Sequence, residues 1–365
     1  MNSTQTMNDR VRDVITGSGM QQGAFAQSIG LDASKLSKSL AGSRRFSSLD
    51  LARIADVGKV TVDWLLTGEE LAIATAARRA AGSSSGDAMA RAMRLTELRG
   101  VAADLGRPLP DSPAIAVGTQ RSTRSAGLRL ADEALRLVGD PQLVLSEELP
   151  DLLESRFAVD VAIVDLGGGF DGLAVQTPQS RLVLAAPTSV PARQRFTLAH
   201  ELGHLLAGHD QDVHLDKDIF APVGADATEV QANAFAASFL MPEVLLRARV
   251  KRGFDDRQFA ELAMDFEVSP RALAIRLTQL KLIDKMAEAA FGALSGRRAA
   301  QLTGREEGLQ RSIVTSTTPR PSRRLASDLF AAYEGGLTTL RPVAAVLGVD
   351  PVKLRDDLEA ERQGN

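Results

Sequence analysis

The residues best suited to chemistry lie in one short stretch, His200-Glu201-Leu202-Gly203-His204. In a helix, residues four apart lie on one face, so the two imidazoles can bind one ion while Glu201 lies beside it. Two imidazole ligands leave a tetrahedral metal in need of a third protein ligand and a water, and Glu201 can take the proton from that water. The spacing therefore predicts the helical zinc site of a metallopeptidase, with its third ligand on a downstream helix.

A candidate for the third ligand begins an alanine-rich helical run that ends at Pro242. Glu229 follows His204 by 25 residues (229 − 204) and shares a helical face with Asn233, four positions later. The glutamate can then reach the metal while Asn233 orients the groups of the first helix by hydrogen bonding. Gln231, two positions after the glutamate, is expected to point elsewhere.

An HExxH sequence also arises by chance, and it would then be a solvated helix with two surface histidines. Two observations weigh against that alternative. All four histidines of the chain fall within the fifteen residues from His200 to His214. The motif also lies in an apolar run typical of a buried helix, formed by Phe196, Leu198, Ala199, Leu202, Leu205 and Leu206.

These two runs resemble the ImmA/IrrE metallopeptidases, bacterial enzymes that cleave DNA-binding repressors. The similarity is carried by Thr197-Leu-Ala-His-Glu-Leu-Gly-His-Leu-Leu-Ala-Gly-His209 and by Glu229-x-x-Ala-Asn-x-Phe-Ala-Ala-x-x-Leu-Met-Pro242. A weaker similarity extends over residues 122–285. The resemblance implies a zinc cofactor and a protein substrate, a repressor.

By the same resemblance, the metal ligands are His200, His204 and Glu229, and Glu201 is the general base. Family members often carry a second glutamate where this chain has Gln231, which favours Glu229 as the ligand.

Two further histidines follow the motif. His209 stands five residues past His204, off the ligand face, and is expected to support the site by a hydrogen bond or to be structural. His214 is either a mobile residue that stabilises the tetrahedral oxyanion or an ordinary surface histidine.

Length and composition limit the possible folds and locations of the protein. Its 365 residues predict two to four domains, and the abundance of Ala, Leu, Arg and Glu favours a mainly α-helical fold. The absence of cysteine fits a reducing compartment and excludes a thiolate metal site. The start of the sequence lacks a signal pattern, and no apolar run approaches the ~20 residues needed to cross a bilayer. We therefore expect a cytoplasmic protein without a membrane partner.

The first 70 residues predict a five-helix DNA-binding domain. Helices are expected over 9–15, 22–30, 33–40, 48–57 and 62–66, with Gly30-Leu31-Asp32 as the short turn of a helix-turn-helix. The pattern Gln22-x-x-Phe-Ala-x-x-Ile-Gly-Leu31, followed by Leu36 and Asp63-Trp-Leu-Leu-Thr-Gly68, resembles the XRE/lambda-repressor-like domain. The resemblance implies binding to double-stranded operator DNA and is compatible with a homodimer.

The candidate DNA contacts lie mainly on the third helix and its exit. Because the net charge is −3, DNA binding requires a local basic patch, and no acid lies between Ala33 and Arg45. Basic residues would hold phosphates, and short polar residues would reach base edges. The candidates are Gln22, Ser34, Lys35, Ser37, Lys38, Arg44 and Arg45. The alternative is a helical bundle used for dimerisation, or a domain of this type that has lost DNA binding.

The remaining segments are assigned from apolar periodicity. Residues 71–121 are interpreted as a connector, with an Ala/Arg-rich helix and a flexible joint at 82–86. Strands are expected over 159–166, 172–176 and 181–186, and an edge strand of their sheet would bind an extended substrate peptide. Residues 303–324 are polar and expected to be loose. Residues 325–358 form a last helical module that could bind a partner or self-associate.

The sequence thus predicts a multidomain, mainly α protein. A helix-turn-helix domain occupies 1–70, a connector 71–121, an α+β zincin-like metallopeptidase core with a small sheet 122–285, and a C-terminal helical module 286–365. The predicted function is a DNA-binding transcriptional regulator that uses zinc to cleave a repressor, in trans or itself. The alternatives are a transcription factor whose peptidase fold is a non-catalytic sensor or dimerisation body, and an antitoxin-like protein that acts by binding. The intact Glu201 argues against a pure sensor, which could lose it.

Overall fold

The computed structural model describes residues 6–58, 60, 62–67, 86–111, 115, 122–167, 169–208, 214–216, 227–251 and 254–364. The chain divides into two compact units, residues 1–86 and residues 87–365. As predicted, the described chain is mainly α-helical with one small sheet. Every helix within those ranges is too short or too polar to cross a lipid bilayer.

The described residues of the first unit form a bundle of five short helices. They are α1 (Met7–Gly17), α2 (Gln22–Ser28), α3 (Ala33–Leu40), α4 (Ser48–Gly58) and α5 (Val62–Thr67). Phe25, Leu36 and Ile54 are fully buried at its centre. Between α2 and α3 the chain turns at Gly30, whose φ of +69° is a left-handed conformation that favours glycine. Asp32 then caps α3 by accepting a hydrogen bond from a backbone N–H of its first turn.

The second unit surrounds a sheet with helices. The strands are β1 (Asp160–Ile163), β2 (Gly172–Gln176), β3 (Arg181–Ala185) and β4 (His214–Asp216). The helices before and between them are α6 (Gly86–Asp104), α7 (Thr123–Val138), α8 (Leu143–Ser146), α9 (Leu149–Phe157) and α10 (Pro191–Ala207). Those that follow are α11 (Ala227–Leu240), α12 (Glu243–Arg249), α13 (Asp256–Asp265), α14 (Pro270–Gln279), α15 (Lys285–Gly292), α16 (Gly296–Thr303), α17 (Glu306–Thr317), α18 (Arg323–Glu334), α19 (Leu340–Leu347) and α20 (Pro351–Gly364).

The sheet is mixed, with the strand order β1-β3-β2-β4. β1 runs parallel to β3, whereas β2 is antiparallel to both β3 and β4. All of β1 and most of β2 and β3 is buried, so helices must cover both faces of these strands. The three strands expected from the sequence correspond to β1, β2 and β3.

Two glycines allow the helices around α11 to pack closely. A Cβ atom at Gly127 of α7 would lie 2.3 Å from the carbonyl oxygen of Gln231, and one at Gly203 of α10 would lie 2.9 Å from the Phe235 ring. Both distances are shorter than a carbon atom can approach, so glycine at these positions brings α7 and α10 against α11. The Phe235 ring in turn stacks on Phe239, with centroids 5.5 Å apart.

The C-terminal segment packs on the outer edge of β1. Arg320 and Ile163 exchange two backbone hydrogen bonds, of 2.8 and 2.9 Å, in an antiparallel bridge. The prediction that residues 303–324 are loose was therefore wrong, because α17 occupies 306–317 and the next residues extend the sheet. The polar side chains that suggested a loose segment are bonded instead, as Ser316 donates to the carbonyl of Thr188 and Ser322 donates to Glu154, each at 2.7 Å.

One buried guanidinium joins α6 to the sheet and to α18. Arg99 is fully buried, and it donates to both carboxylate oxygens of Asp160, at 2.7 and 2.6 Å, and to Asp328 at 2.7 Å. Burial alone would lower the pKa of Arg99, but its hydrogen bonds to Asp160 overcome that effect and the pKa is raised. Helix α6, expected as part of a connector, is thus packed into the second unit. Of the predicted joint at 82–86, residues 82–85 lie outside the described residues.

Candidate metal centre

Helix α10 carries the HExxH residues and forms for local reasons. Pro191 stands at its first position, where the missing N–H costs nothing, and Gly208 ends it in a left-handed conformation with φ of +65°. Every residue from Thr197 to His204 is buried. The histidines are therefore not surface residues. This burial argues against the alternative of a chance HExxH sequence on a solvated helix.

Three side chains converge where the sequence predicted metal ligands. The Nε2 atoms of His200 and His204 are 3.0 Å apart, and each lies 3.3 Å from a carboxylate oxygen of Glu229 on α11. The two histidines are at most 1% exposed, while the Glu229 side chain is 21% exposed. Solvent can therefore reach the group from the side of the glutamate.

This arrangement fits a catalytic zinc ion. Ligand atoms on a tetrahedral zinc ion with bonds of about 2.0–2.1 Å are about 3.3–3.4 Å apart. The observed separations are close to that edge length, and two imidazole nitrogens with one carboxylate form a common ligand set of catalytic zinc. One such atom from each side chain lies within 4.8 Å of the others. His200, His204 and Glu229 are thus able to hold the metal.

Asn233 lies where it can fix the orientation of one ligand. Its Oδ1 is 3.1 Å from Nδ1 of His200. An amide oxygen is an acceptor, so the contact is a hydrogen bond when Nδ1 carries the proton, which leaves the Nε2 lone pair directed at the ligand group. The placement agrees with the predicted supporting role of Asn233.

Glu201 is fully buried beside the ligands, against β2. A Cβ atom at Gly172 would lie 2.6 Å from its Oε1 and 2.4 Å from Cγ2 of Thr197. Only glycine allows β2 to approach α10 this closely. Gly172 was missed by the sequence reasoning as a site residue, because its partner Glu201 lies 29 residues later (201 − 172) and no local pattern links the two.

Polar side chains anchor the first turns of α10. Arg195 donates to the carbonyl of Val144 at 2.8 Å and pairs with Glu267 at 3.0 Å. Its burial lowers its pKa from the usual value. Gln194 donates to the carbonyls of Ala186 and Ser316, at 3.0 and 2.8 Å. These contacts hold the ligand helix against elements from distant parts of the chain.

The other predicted site residues divide into three groups. His209 lies outside the described residues, and of His214 only the backbone is described, in β4. The DNA-contact candidates Gln22, Ser34, Lys35, Ser37, Lys38 and Arg45 are all exposed on the first unit. Arg44 is partly buried instead, and it donates to Asp50 at 2.8 Å and to Ser39 at 2.9 Å. The Arg44 guanidinium therefore stabilises the fold, and it is a weaker candidate for a phosphate contact.

Comparison with known proteins finds a family model that matches the segment with the candidate metal centre. Residues 155–278 match the model of the Peptidase M78 family, described as the IrrE N-terminal-like domain. The three ligand candidates and Glu201 all fall inside this range. The match thus supports the ImmA/IrrE metallopeptidase assignment for this part of the chain.

Two curated relatives match part of the chain. The chain is 35% identical over 127 residues to the radiation response metalloprotease IrrE of Deinococcus radiodurans, which is 33% of this chain and 37% of that protein. It is 35% identical over 107 residues to the radiation response metalloprotease IrrE of Deinococcus deserti, which is 28% of this chain and 37% of that protein. The chain therefore spans little more than a third of the length of the curated relatives it matches.

Proposed function

We propose that this chain is a cytoplasmic DNA-binding transcriptional regulator with zinc-dependent endopeptidase activity, which cleaves a repressor protein to switch gene expression. The observation that carries the proposal is the convergence of His200, His204 and Glu229 beside the buried Glu201. This group lies in the segment that matches the IrrE N-terminal-like domain. The relatives named as radiation response metalloproteases support a regulatory peptidase.

Each residue of the centre has a role in peptide hydrolysis. His200, His204 and Glu229 would hold zinc, which supplies Lewis acidity and lowers the pKa of water to about 7. Glu201 takes the proton from the attacking water and returns it to the leaving amine. Its burial beside Gly172 excludes bulk water from the carboxylate. Asn233 keeps the His200 ring in the orientation that binds the metal.

A protein substrate is supported by the edges of the sheet. Among the described residues, β4 is hydrogen-bonded to another strand on one side only, that of β2. The opposite edge, at β1, is already paired with Arg320. An extended substrate segment would therefore add to the sheet alongside β4, where backbone hydrogen bonds can hold it.

DNA binding is proposed for the exposed residues of the first unit. Lys35, Lys38 and Arg45 are free to reach phosphates, while Ser34 and Ser37 lie on α3 where base edges would be read. Affinity for duplex DNA should fall steeply with salt, and neutralising Lys35 and Lys38 should flatten the logarithmic slope by about one unit each. A complex that does not depend on salt would contradict this assignment.

The test of the peptidase is Glu201→Gln, which removes the base and keeps the ligands. Both proteins should bind about one zinc per chain, because His200, His204 and Glu229 are unchanged. Only the wild type should release a cleaved fragment of itself or of a co-expressed repressor. His204→Ala serves as the matched control, since it should lose zinc and cleavage together.

The same pair of proteins separates the enzyme from a non-catalytic sensor. In cells that carry Glu201→Gln, the target promoter should stay repressed when the inducing signal is given. If wild type and Glu201→Gln derepress equally and neither yields a cleaved fragment, the sensor function replaces the peptidase function.

A further inference from the structure

Three pairs of consecutive helices share one tight turn, α2–α3, α13–α14 and α19–α20. In each pair an apolar residue and an alanine are followed, after two residues, by an apolar residue, a turn residue, an apolar residue and a helix-capping side chain. The apolar residue after the turn residue donates its N–H to the alanine carbonyl in all three pairs. These bonds are Leu31 to Ala26 at 2.8 Å, Val268 to Ala263 at 3.2 Å and Val349 to Ala344 at 3.0 Å.

The turn residue itself differs in one of the three pairs. It is Gly30 in α2–α3 and Gly348 in α19–α20, each with a φ of +69°, but Glu267 in α13–α14, with a φ of +50°. A left-handed conformation brings a Cβ atom close to the backbone carbonyl, so glycine is favoured there. A glutamate at this position weakens the turn unless its side chain makes a contact that offsets the strain.

The contact of Glu267 is with the helix that carries the two histidines. Its carboxylate lies 3.0 Å from the guanidinium of Arg195 on α10. The Arg195 side chain is only 11% exposed, and it also donates to the carbonyl of Val144 at 2.8 Å. Glu267 is thus the counter-ion of a largely buried cation, and a cation in such surroundings depends on its acidic partner.

Arg195 lies on the side of α10 that faces away from the candidate ligands. It precedes His200 by five residues and His204 by nine, which are about 140° and about 180° around the helix. A rotation or tilt of α10 at Arg195 would therefore move both imidazoles away from Glu229, which is held on another helix. The contacts on this far side of α10 decide where the two rings point.

We propose that Glu267 is a positioning residue for the candidate metal centre. Its carboxylate fixes Arg195, and Arg195 fixes the rotation of α10 that directs His200 and His204 at one ion. The inference rests on the proposed function, because it requires that these histidines bind zinc. The alternative is a half-exposed ion pair that has little effect on the rest of the unit.

The deciding variant is Glu267→Gly in the full chain, because it relieves the left-handed turn and removes the contact with Arg195 together. We expect its zinc dissociation constant, measured by competition with a chromophoric chelator, to rise at least about threefold. This is less than the 10- to 100-fold that follows loss of a direct hydrogen bond to a ligand. The visible absorption of Co²⁺ bound in place of zinc should also change, since it reports the geometry of the ligands.

The matched control is Lys281→Gly. Lys281 is also a non-glycine residue in a left-handed conformation, with a φ of +59°, and it is exposed after the end of α14. Glycine there relieves the same kind of strain without removing a contact with Arg195. Lys281→Gly should therefore keep the wild-type zinc affinity and Co²⁺ spectrum.

A double-mutant cycle tests whether Glu267 acts through Arg195. Arg195→Met should weaken zinc binding, and adding Glu267→Gly to it should have no further effect. Additive effects of the two substitutions would overturn the inference. The comparison of Glu267→Gly with Lys281→Gly decides the inference even if Arg195→Met does not fold.

The result for wild type separates this inference from the proposed function. If wild type binds zinc and Glu267→Gly has the same zinc affinity and the same Co²⁺ spectrum, the inference alone is overturned. If wild type binds neither Zn²⁺ nor Co²⁺, the proposed function fails and the inference fails with it.

Discussion

The His200 ring is oriented by a hydrogen bond between its Nδ1 and the Oδ1 of Asn233, 3.1 Å apart. Asn233→Ala removes the acceptor, so the ring is free to rotate and to carry its proton on the nitrogen that should bind zinc. We expect the zinc dissociation constant to rise about 10- to 100-fold, measured by competition with a chromophoric chelator. Gln231→Ala, on the same helix, should leave it unchanged. Equal zinc affinities for Asn233→Ala and wild type would show that Asn233 does not position the ligand.

A second residue, Asp50, makes the first unit sensitive to acid. It accepts hydrogen bonds from Arg44 at 2.8 Å and from the backbone N–H of Ser47 at 2.9 Å. Burial alone would raise the pKa of Asp50, but these hydrogen bonds more than offset burial and the pKa is lowered. Its contribution to stability is thus present above the unfolded pKa of about 3.9 and lost as pH falls through the lower folded pKa.

The corresponding variant is Asp50→Asn. At neutral pH it should lower the unfolding free energy of the first unit by about 1–2 kcal/mol, and this difference should shrink as pH falls below about 4. The sole tryptophan, Trp64, packs against the core of this unit, so its fluorescence during urea unfolding reports on it. Asp56→Asn, at an exposed position of α4, is the control. A difference that stays constant from pH 7 to pH 3 would contradict the assignment.

Helix packing around the centre depends on small residues. Gly127→Ala would place a Cβ atom 2.3 Å from the carbonyl oxygen of Gln231, and backbone cannot move aside as a side chain can. We expect a loss of about 1–3 kcal/mol or more in unfolding free energy, measured by urea denaturation of the second unit. Gly308→Ala is the matched control, since nothing lies within 4 Å of its Cβ and alanine favours the helix α17 by about 1 kcal/mol. The idea fails if both substitutions stabilise the protein.

The elements differ in how far the sequence predicts them. The ranges expected for α3 and β2 agree closely with the structure, because caps and apolar periodicity are local. The segment 303–324 was misread because its polar residues bond to groups more than 100 positions away. Arg320, for example, donates to Glu154 across 166 residues. A polar segment that hydrogen-bonds to distant residues has the same composition as a polar segment without fixed structure.

The metal centre was predictable for the same reason that α10 and α11 were. His200 with His204 and Glu229 with Asn233 are pairs four apart on single helices, so each pair could be placed on one face from spacing alone. The approach of β2 at Gly172 and the anchoring of Gln194 by Ser316 depend on tertiary packing. The three side chains that converge could therefore be named from the sequence as candidate ligands, whereas the residues that hold their helix in place could not.

On the scale of the whole molecule, the metal centre needs more of the chain than the family match contains. That match ends at residue 278, whereas Arg320 bonds the edge of β1 and Ser322 bonds the carboxylate of Glu154. Arg320 pairs with Asp151 and Glu154, at 2.6 and 2.9 Å. Glu154 is 5% exposed and Asp160 is 1% exposed, so both rely on protein partners.

Removal of residues 306–365 should therefore destabilise the unit that contains the candidate metal centre. In the shortened chain the edge of β1 is unpaired, and Glu154 loses its partners Arg320 and Ser322. Loss of the partner of a buried charge lowers the unfolding free energy by about 3–5 kcal/mol. We expect its urea midpoint to fall and its zinc content to drop, although every metal ligand is retained. Removal of residues 349–365 alone deletes α20 and spares these contacts, so that control should unfold as the full chain does. If the chain ending at 305 unfolded at the same urea concentration as the full chain and bound zinc equally well, the C-terminal segment would be a separate module and not part of the unit that holds the candidate ligands.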